Sequence, residues 1–290
     1  MTRIEHAEAG ARIQRNGWTL FPGPALAELP SRVGLELVER ALKIAAGGAG
    51  GERLRRSRHA STYRMRLGSP LSGETEFFVK LLDAPRGLKA IRRLLLGSRA
   101  ARMRAILDAL VGAQIAIAPV LLLGDERAGD RRTLMVTARV EGEPLPRVLR
   151  ALAAAPALRR ELLDALGAEV GRLHRAGFIH GDLTPYNIFV TAGPPARFSL
   201  IDHERTTRPR LNWERRRLRN LVQLCRFDIE GMGPADRLRI VDAYATAMGA
   251  PAHRLGRRVT GMLRARRLRD SVGRANEAAA PARSSCRPGR

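Results

Sequence analysis

Residues 178–190 read FIHGDLTPYNIFV, and no other stretch limits so tightly what this chain can fold into. An apolar run stops at His180-Gly181-Asp182, Pro185 marks a turn, Asn187 stands five positions after the aspartate, and a second apolar run follows at once. Upstream, ALRRELLDALGAEVGRLHRAG repeats Leu158, Leu162, Leu166, Val170 and Leu173 at helical spacing, and Gly177 ends the helix. Downstream, NIFV, the turn AGPPA and FSLID read as two short strands whose exit carries Asp202. A helix, a loop holding an acid and an amide, and a strand pair closing on a second acid thus succeed one another in fixed order.

That order suits one chemistry. A loop carboxylate such as Asp182 orients an attacking hydroxyl and accepts its proton. Asn187 and Asp202 offer hard oxygen donors of the kind Mg²⁺ takes while leaving its other positions to phosphate and water. Phosphoryl transfer from ATP also needs a cation on the α and β phosphates. Only Lys43, Lys80 and Lys89 are lysines among 52 basic residues, so a surviving lysine is a stronger candidate for chemistry than usual. Lys80 closes FFVK, the second strand of a hairpin predicted from STYRMRL and TEFFVKLL. A strand-end lysine snorkelling into water is the plain reading of it alone. Beside Asp182, Asn187 and Asp202, the phosphate-anchoring reading is preferred.

The formal net charge of +24 favours anionic partners, although an arginine coding bias on a solvated surface produces the same number. Cys225 and Cys286 are far apart and imply no disulfide framework. The start MTRIEHAEAG has no apolar run behind it, and the most apolar window, 105–124, is broken by Asp108, Gln114 and Pro119. A cytoplasmic protein is expected, with peripheral contact at the cytoplasmic face of the inner membrane. A basic amphipathic helix on Val259, Met262, Leu263 and Leu268 would serve that contact. Sparse aromatics and the lack of a base-reading motif argue against sequence-specific nucleic-acid binding.

Along the chain, residues 1–52 read as an N-terminal extension ending in the flexible run GGAGG, and 53–142 as a β-rich lobe. In that lobe AIAPVLLLGD and RTLMVTARV form a second strand pair, and 88–111 is a basic helix buried on Leu94, Leu95, Ile106, Leu107 and Leu110. EGEPLP reads as a linker without helix or strand. Residues 143–271 read as a mainly helical lobe, with helices at WERRRLRNLVQLCRF and PADRLRIVDAYATAMG, and 272–290 as a basic disordered tail.

The protein-kinase catalytic loop is HRDLxxxN, and here it is matched by His180, Asp182, Leu183 and Asn187. With SRHASTYRM, FFVK, GSRAARMRAILDAL, PVLLLG, VTARVEG and LIDHERTTR, the chain resembles the protein-kinase-like superfamily. More narrowly it resembles the bacterial lipopolysaccharide kinase family (InaA and Kdo/WaaP type), over about Arg53 to Gly249. The resemblance implies an α+β, bilobal protein-kinase-like fold with a small β-rich lobe and a larger mainly helical one. It implies an ATP- and Mg²⁺-dependent transfer to a sugar hydroxyl, heptose or Kdo, of lipopolysaccharide inner core or a similar anionic glycolipid. Asp182 would be the catalytic base, Asn187 and Asp202 the Mg²⁺ ligands, Lys80 the phosphate anchor, and His180 a structural member of the loop.

Departures from the kinase pattern are expected to matter. Gly181 replaces the arginine of HRD, which argues against regulation by a phosphorylated activation loop. No GxGxxG precedes the hairpin, so RSRHASTYRM would cover the phosphates with its backbone and Ser61. The first-lobe helix lacks a glutamate for Lys80, its nearest acid being Asp108. His203 and Glu204 read as strand-end surface positions without chemistry, and Tyr186 as a packed ring. Two other readings stay open: a kinase of the same fold acting on a small molecule or protein, and a catalytically silent module binding anionic membrane or nucleic acid.

Overall fold

Neighbouring residues on a strand point to opposite faces, so the alternation in STYRMRL and TEFFVKLL decides which layer each side chain joins. In the computed structural model, which describes residues 12–57, 59–69, 73–84, 97–127, 131–191, 193, 195–230 and 232–279, these segments are strands β4 (Ala60–Ser69) and β5 (Gly73–Leu82). They pair antiparallel, with Thr62 opposite Lys80 and Ser61 opposite Leu81. Both belong to a seven-stranded sheet ordered β1 (Ile13–Arg15), β2 (Trp18–Pro22), β6 (Val120–Glu126), β7 (Thr133–Ala138), β5, β4, β3 (Glu52–Arg56). The expected pairing of PVLLLG with RTLMVTA is therefore present as β6 and β7.

On one face Met65, Leu67, Phe77, Val79 and Leu81 pack with Leu37, Val38 and Ala41 of helix α2 (Ser31–Ala45), which follows the short α1 (Pro24–Ala27). Residues 12–45, read from sequence as an extension, thus supply two strands and a core helix to this sheet. The other face carries Ala60, Leu82 and Met135 against Met103 and Leu107 of helix α3 (Arg99–Gly112). Leu107 and Leu110 are buried as expected and Ile106 half so, while Leu94 and Leu95 lie outside the described residues. Asp125 fixes the start of α3 by accepting from the Ser98 hydroxyl at 2.7 Å and the Ala100 N–H at 3.1 Å, and Ser98 in turn caps the Ala101 N–H at 3.0 Å.

The chain forms two compact units, Met1–Leu145 with Tyr186–Arg208, and Pro146–Pro185 with Pro209–Arg290. The returning segment explains the first grouping. Strands β8 (Glu143–Pro144), β9 (Ile188–Thr191) and β10 (Arg197–Leu200) make a three-stranded sheet. Leu200 of β10 donates to the Ala116 carbonyl at 2.9 Å and accepts from the Ala118 N–H at 3.2 Å. EGEPLP is correspondingly not structureless: its Glu143–Pro144 pairs with β9, and α4 (Leu145–Ala151) begins directly after.

The second unit is helical, with α5 (Pro156–Arg175), α6 (Trp213–Cys225), α7 (Pro234–Met248) and α8 (Ala252–Ala279). Leu162, Leu166, Val170 and Leu173 are buried as their spacing predicts, but Leu158 is 56% exposed. In that first turn it is Arg159 that faces α7, its guanidinium 2.6 Å from Asp236. Two glycines bring α5 and α7 together: a Cβ on Gly167 would lie 2.4 Å from the Ile240 carbonyl oxygen, and one on Gly171 2.6 Å from the Ala247 Cβ. Leu255 and Val259 of α8 are buried, Met262 and Leu263 partly so, and α8 runs through residues 272–279, where the tail was expected to begin. Among the described residues no helix is long and apolar enough to cross a membrane.

Between these helices sits His174, 1% exposed, with Nδ1 2.8 Å from the Tyr244 hydroxyl and Nε2 3.3 Å from Asn220 Oδ1. Asn220 Oδ1 can only accept, so the ring proton belongs on Nε2 and Nδ1 accepts from Tyr244. Burial lowers the His174 pKa from the ordinary 6.5 to about 4, opposed by the bond to Asn220 and helped by Arg217 nearby. Cys225 is also buried, and desolvation pushes its thiol up to about 12.

Two outcomes follow from this packing. Replacing Gly167 with Ala should destabilise the protein by about 1–3 kcal/mol despite alanine's better helix propensity, because backbone and not a pliable side chain meets the new methyl; a urea midpoint at or above wild type would contradict it. For His174, the unfolded ring gains a proton near pH 6.5 and the folded ring near 4, so the stability it contributes is complete above 6.5 and is lost as pH falls toward 4. Urea midpoints should fall across that window by an amount equivalent to about 3 kcal/mol in wild type and less in His174→Gln.

Candidate active site

Lys80, Asn187 and Asp202 belong to the first unit and Asp182 to the second. Because Phe77, Val79 and Leu81 face α2, Lys80 projects from the opposite face of the sheet, the face that α3 covers. There its Nζ lies 2.6 Å from Asp202 Oδ1 and 3.2 Å from Glu204 Oε2. The first contact is a hydrogen bond spanning 122 residues of chain. The second has ion-pair distance without hydrogen-bond geometry, and Glu204 Oε2 is shielded from solvent.

The backbone at the end of β10 creates this cluster. Asp202 adopts a left-handed conformation, φ 67° and ψ 50°, and starts a 3₁₀ turn over His203–Arg205 that returns Glu204 toward the same ammonium. Such a conformation disfavours most side chains, and Asp and Asn tolerate it best. His203 locks the turn from inside, with Nε2 3.0 Å from the Leu200 carbonyl and Nδ1 3.1 Å from the Thr206 hydroxyl. His203 is 6% exposed and the Glu204 side chain 15%, so neither is the surface position expected from sequence. The strand ends at Leu200, and the turn that follows folds both side chains inward.

Asn187 lies across from Ile201, the residue before Asp202. It closes a 3₁₀ turn over Pro185–Asn187, and its carbonyl accepts from the Ile201 N–H at 3.0 Å. A carboxamide and a carboxylate on adjoining strand ends fit a hard divalent cation that keeps phosphate and water as its other ligands. Among the described residues no group of three or more His, Cys, Asp or Glu that could hold a metal ion is found.

Ser61 is not brought to this cluster. Its register opposite Leu81 turns it to the α2 face, and Thr62 is the hydroxyl-bearing residue opposite Lys80. At the β3–β4 turn, Ser57 Oγ accepts from the His59 N–H at 3.3 Å and the Ala60 N–H at 3.1 Å, so those amides are already engaged. Asp108 is likewise occupied elsewhere, paired with Arg104 one helical turn away at 2.8 Å and 53% exposed. Tyr186 is 56% exposed and not a packed ring.

In the second unit Asp182 follows Gly181, whose φ of 78° favours glycine over the arginine of protein kinases at this position. Asp182 Oδ1 accepts from Gln223 Nε2 at 2.7 Å, while Gln223 Oε1 accepts from the Leu183 N–H at 3.2 Å. Gln223 therefore holds the loop at a side chain and at the backbone. Asn220, one turn earlier on α6, accepts from the His180 N–H at 3.0 Å and meets His174. His180 is fully buried, and its Nδ1 accepts from the Asp182 N–H at 3.3 Å, as befits a structural member of the loop. A line of contacts thus runs from Tyr244 through His174, Asn220 and Gln223 to Asp182. Sequence reading missed Glu204, Asn220 and Gln223. The available signal for the last two was a pair of amides three residues apart on the apolar side of an arginine-rich helix.

Comparison with known proteins relates the chain to kinase-like proteins. Two curated relatives match over short spans: the EKC/KEOPS complex subunit BUD32 of Coccidioides immitis (strain RS), 35% identical over 86 residues, and the bud32 subunit of Aspergillus fumigatus, 34% identical over 85 residues. Each match takes in 29% of this chain, which spans 28% and 27% of the two relatives' own lengths. The profile of the lipopolysaccharide kinase (Kdo/WaaP) family matches residues 89–244, more than half of the sequence and inclusive of Asp182, Asn187, Asp202, Glu204 and Gln223. This chain belongs to the lipopolysaccharide kinase (Kdo/WaaP) family.

Proposed function

We propose that the protein transfers the γ-phosphate of ATP, with Mg²⁺, to a sugar hydroxyl of lipopolysaccharide inner core, heptose or Kdo, or of a similar anionic glycolipid. The observation that carries this reading is the convergence of Lys80, Asp202 and Asn187 within one unit of a chain of this family. Lys80 is the cation for the nucleotide phosphates. Asn187 and Asp202 are the oxygen donors for Mg²⁺, which when bound neutralises charge building on the transferred group. Asp182 orients the acceptor hydroxyl and takes its proton, and the Gln223 bond to its Oδ1 fixes the orientation of the carboxylate.

An anionic acceptor is favoured by the charge distribution. Arg215, Arg216 and Arg219 are exposed on α6, and the acid of that helix, Glu214, is engaged with Arg217 at 2.6 Å. A site for a cationic aminoglycoside would need the reverse. Contact with anionic membrane at the cytoplasmic face would bring such a protein to its glycolipid, and the basic surface supports it.

Purified protein given Mg·ATP and inner-core acceptor should release ADP and add one phosphate to the acceptor, read by mass spectrometry. Asp182→Ala should lower kcat by about 10²- to 10⁴-fold; transfer at the wild-type rate would refute the assigned base. Gln223→Ala should cost about tenfold in kcat with little change in the KM for ATP, since it removes one bond to a charged group and touches no nucleotide contact. A change confined to the ATP KM would place Gln223 elsewhere in the mechanism.

A further inference from the structure

Protein kinases hold their phosphate-anchoring lysine with a glutamate from the first-lobe helix, and both partners must be in place for activity. Here the corresponding helix, α3, buries Ala100, Met103, Leu107 and Leu110 and supplies no carboxylate to Lys80. Its one acid, Asp108, points outward to Arg104. We infer that Glu204, on the 3₁₀ turn after Asp202, replaces the missing helix glutamate as the residue that positions Lys80 for the nucleotide phosphates. The inference rests on the phosphotransferase reading above.

Three observations support it. Glu204 Oε2 is 3.2 Å from Lys80 Nζ, and the two side chains are 15% and 17% exposed, so the charges meet where water screens them poorly. That oxygen is shielded from solvent and has no hydrogen-bond partner, which leaves the ammonium as the group that offsets its burial. The other nearby cation, Arg205, lies 3.8 Å from the opposite oxygen, Oε1, and its own side chain is 59% exposed. Glu204 is therefore oriented toward Lys80.

Asp202 cannot fill this role by itself. Its Oδ1 holds the ammonium at 2.6 Å, but a cation bound to the Asp202 carboxylate would repel Lys80 and draw off the charge that holds it. Glu204 remains as a second counter-charge, placed two residues further along by a turn that His203 locks. The helix-borne glutamate of protein kinases is in this chain exchanged for one on the turn that follows Asp202, so the lysine's partner and the proposed metal ligand share one turn. Glu204 acts through Lys80 and is a positioning residue.

The test compares wild type, Glu204→Gln, Lys80→Met and the double variant, with calorimetric titration of Mg·ATP as one readout. Each single substitution should weaken binding about tenfold, and the double variant should be no weaker than Lys80→Met. Glu204→Asp, which keeps the charge, should recover most of the loss. A second readout needs no nucleotide: with three lysines in the chain, the ¹³Cε resonance of Lys80 is readily assigned, and it should move in Glu204→Gln while that of Lys43 stays. Wild-type affinity in Glu204→Gln, losses that multiply in the double variant, or an unmoved Lys80 resonance would each overturn the inference. If wild type itself binds no Mg·ATP, the phosphotransferase reading falls and takes the inference with it, whereas binding without coupling sinks the inference alone.

Discussion

A single ammonium organises the first unit. Lys80 leaves an inner strand of a β-sheet and meets two carboxylates from a turn more than a hundred residues later, at 2.6 and 3.2 Å. At an effective dielectric near 20 each contact is worth roughly 5 kcal/mol before desolvation, and desolvation cancels most of that. The net stabilisation is modest, but loss of one member leaves a poorly hydrated charge without its counter-charge, which costs several kcal/mol. The cluster thus contributes more to defining one arrangement than to overall stability. Returning residues 186–208 to the first unit makes it possible, through the backbone bonds of Leu200 to Ala116 and Ala118.

The second unit meets the same requirement with neutral groups. Gln223 orients the Asp182 carboxylate and holds its loop, donating to Oδ1 while accepting from the Leu183 N–H. Behind it Asn220 and His174 extend the line to Tyr244, whose hydroxyl burial keeps protonated well past neutrality. A charge on the buried His174 ring within this line would be costly, and its depressed pKa is the physical expression of that cost. Close packing of α5 on α7 through Gly167 and Gly171 holds the two ends of the line in register.

Much of this was legible in the sequence because the relevant signals were local. The β4–β5 and β6–β7 pairs, the α5 stripe from Leu162 to Leu173 and the order Asp182, Asn187, Asp202 all follow from periodicity and short spacing. What escaped depended on where a strand ends and how the chain turns. Asp202 at φ 67° reverses the direction that simple continuation of β10 would give, so Glu204 and His203 go inward where a surface strand end was expected. Ser61 and Thr62 differ by one residue in a strand, and that single step exchanges the face of α2 for the face of Lys80. The first two strands were hidden because IQR and WTLFP are too short for period-two alternation to register.

The relocation of the lysine's partner bears on how such a site could be regulated. Where the glutamate rides on a helix that can move, moving that helix breaks the pair, and activity can be switched by whatever positions it. In this chain Asp202 and Glu204 share one 3₁₀ turn, locked by His203 against Leu200 and Thr206, and β10 is bonded to the segment just before β6. The charged cluster has no independently mobile member on the carboxylate side. Within the first unit this describes a charged cluster whose arrangement is built in by folding.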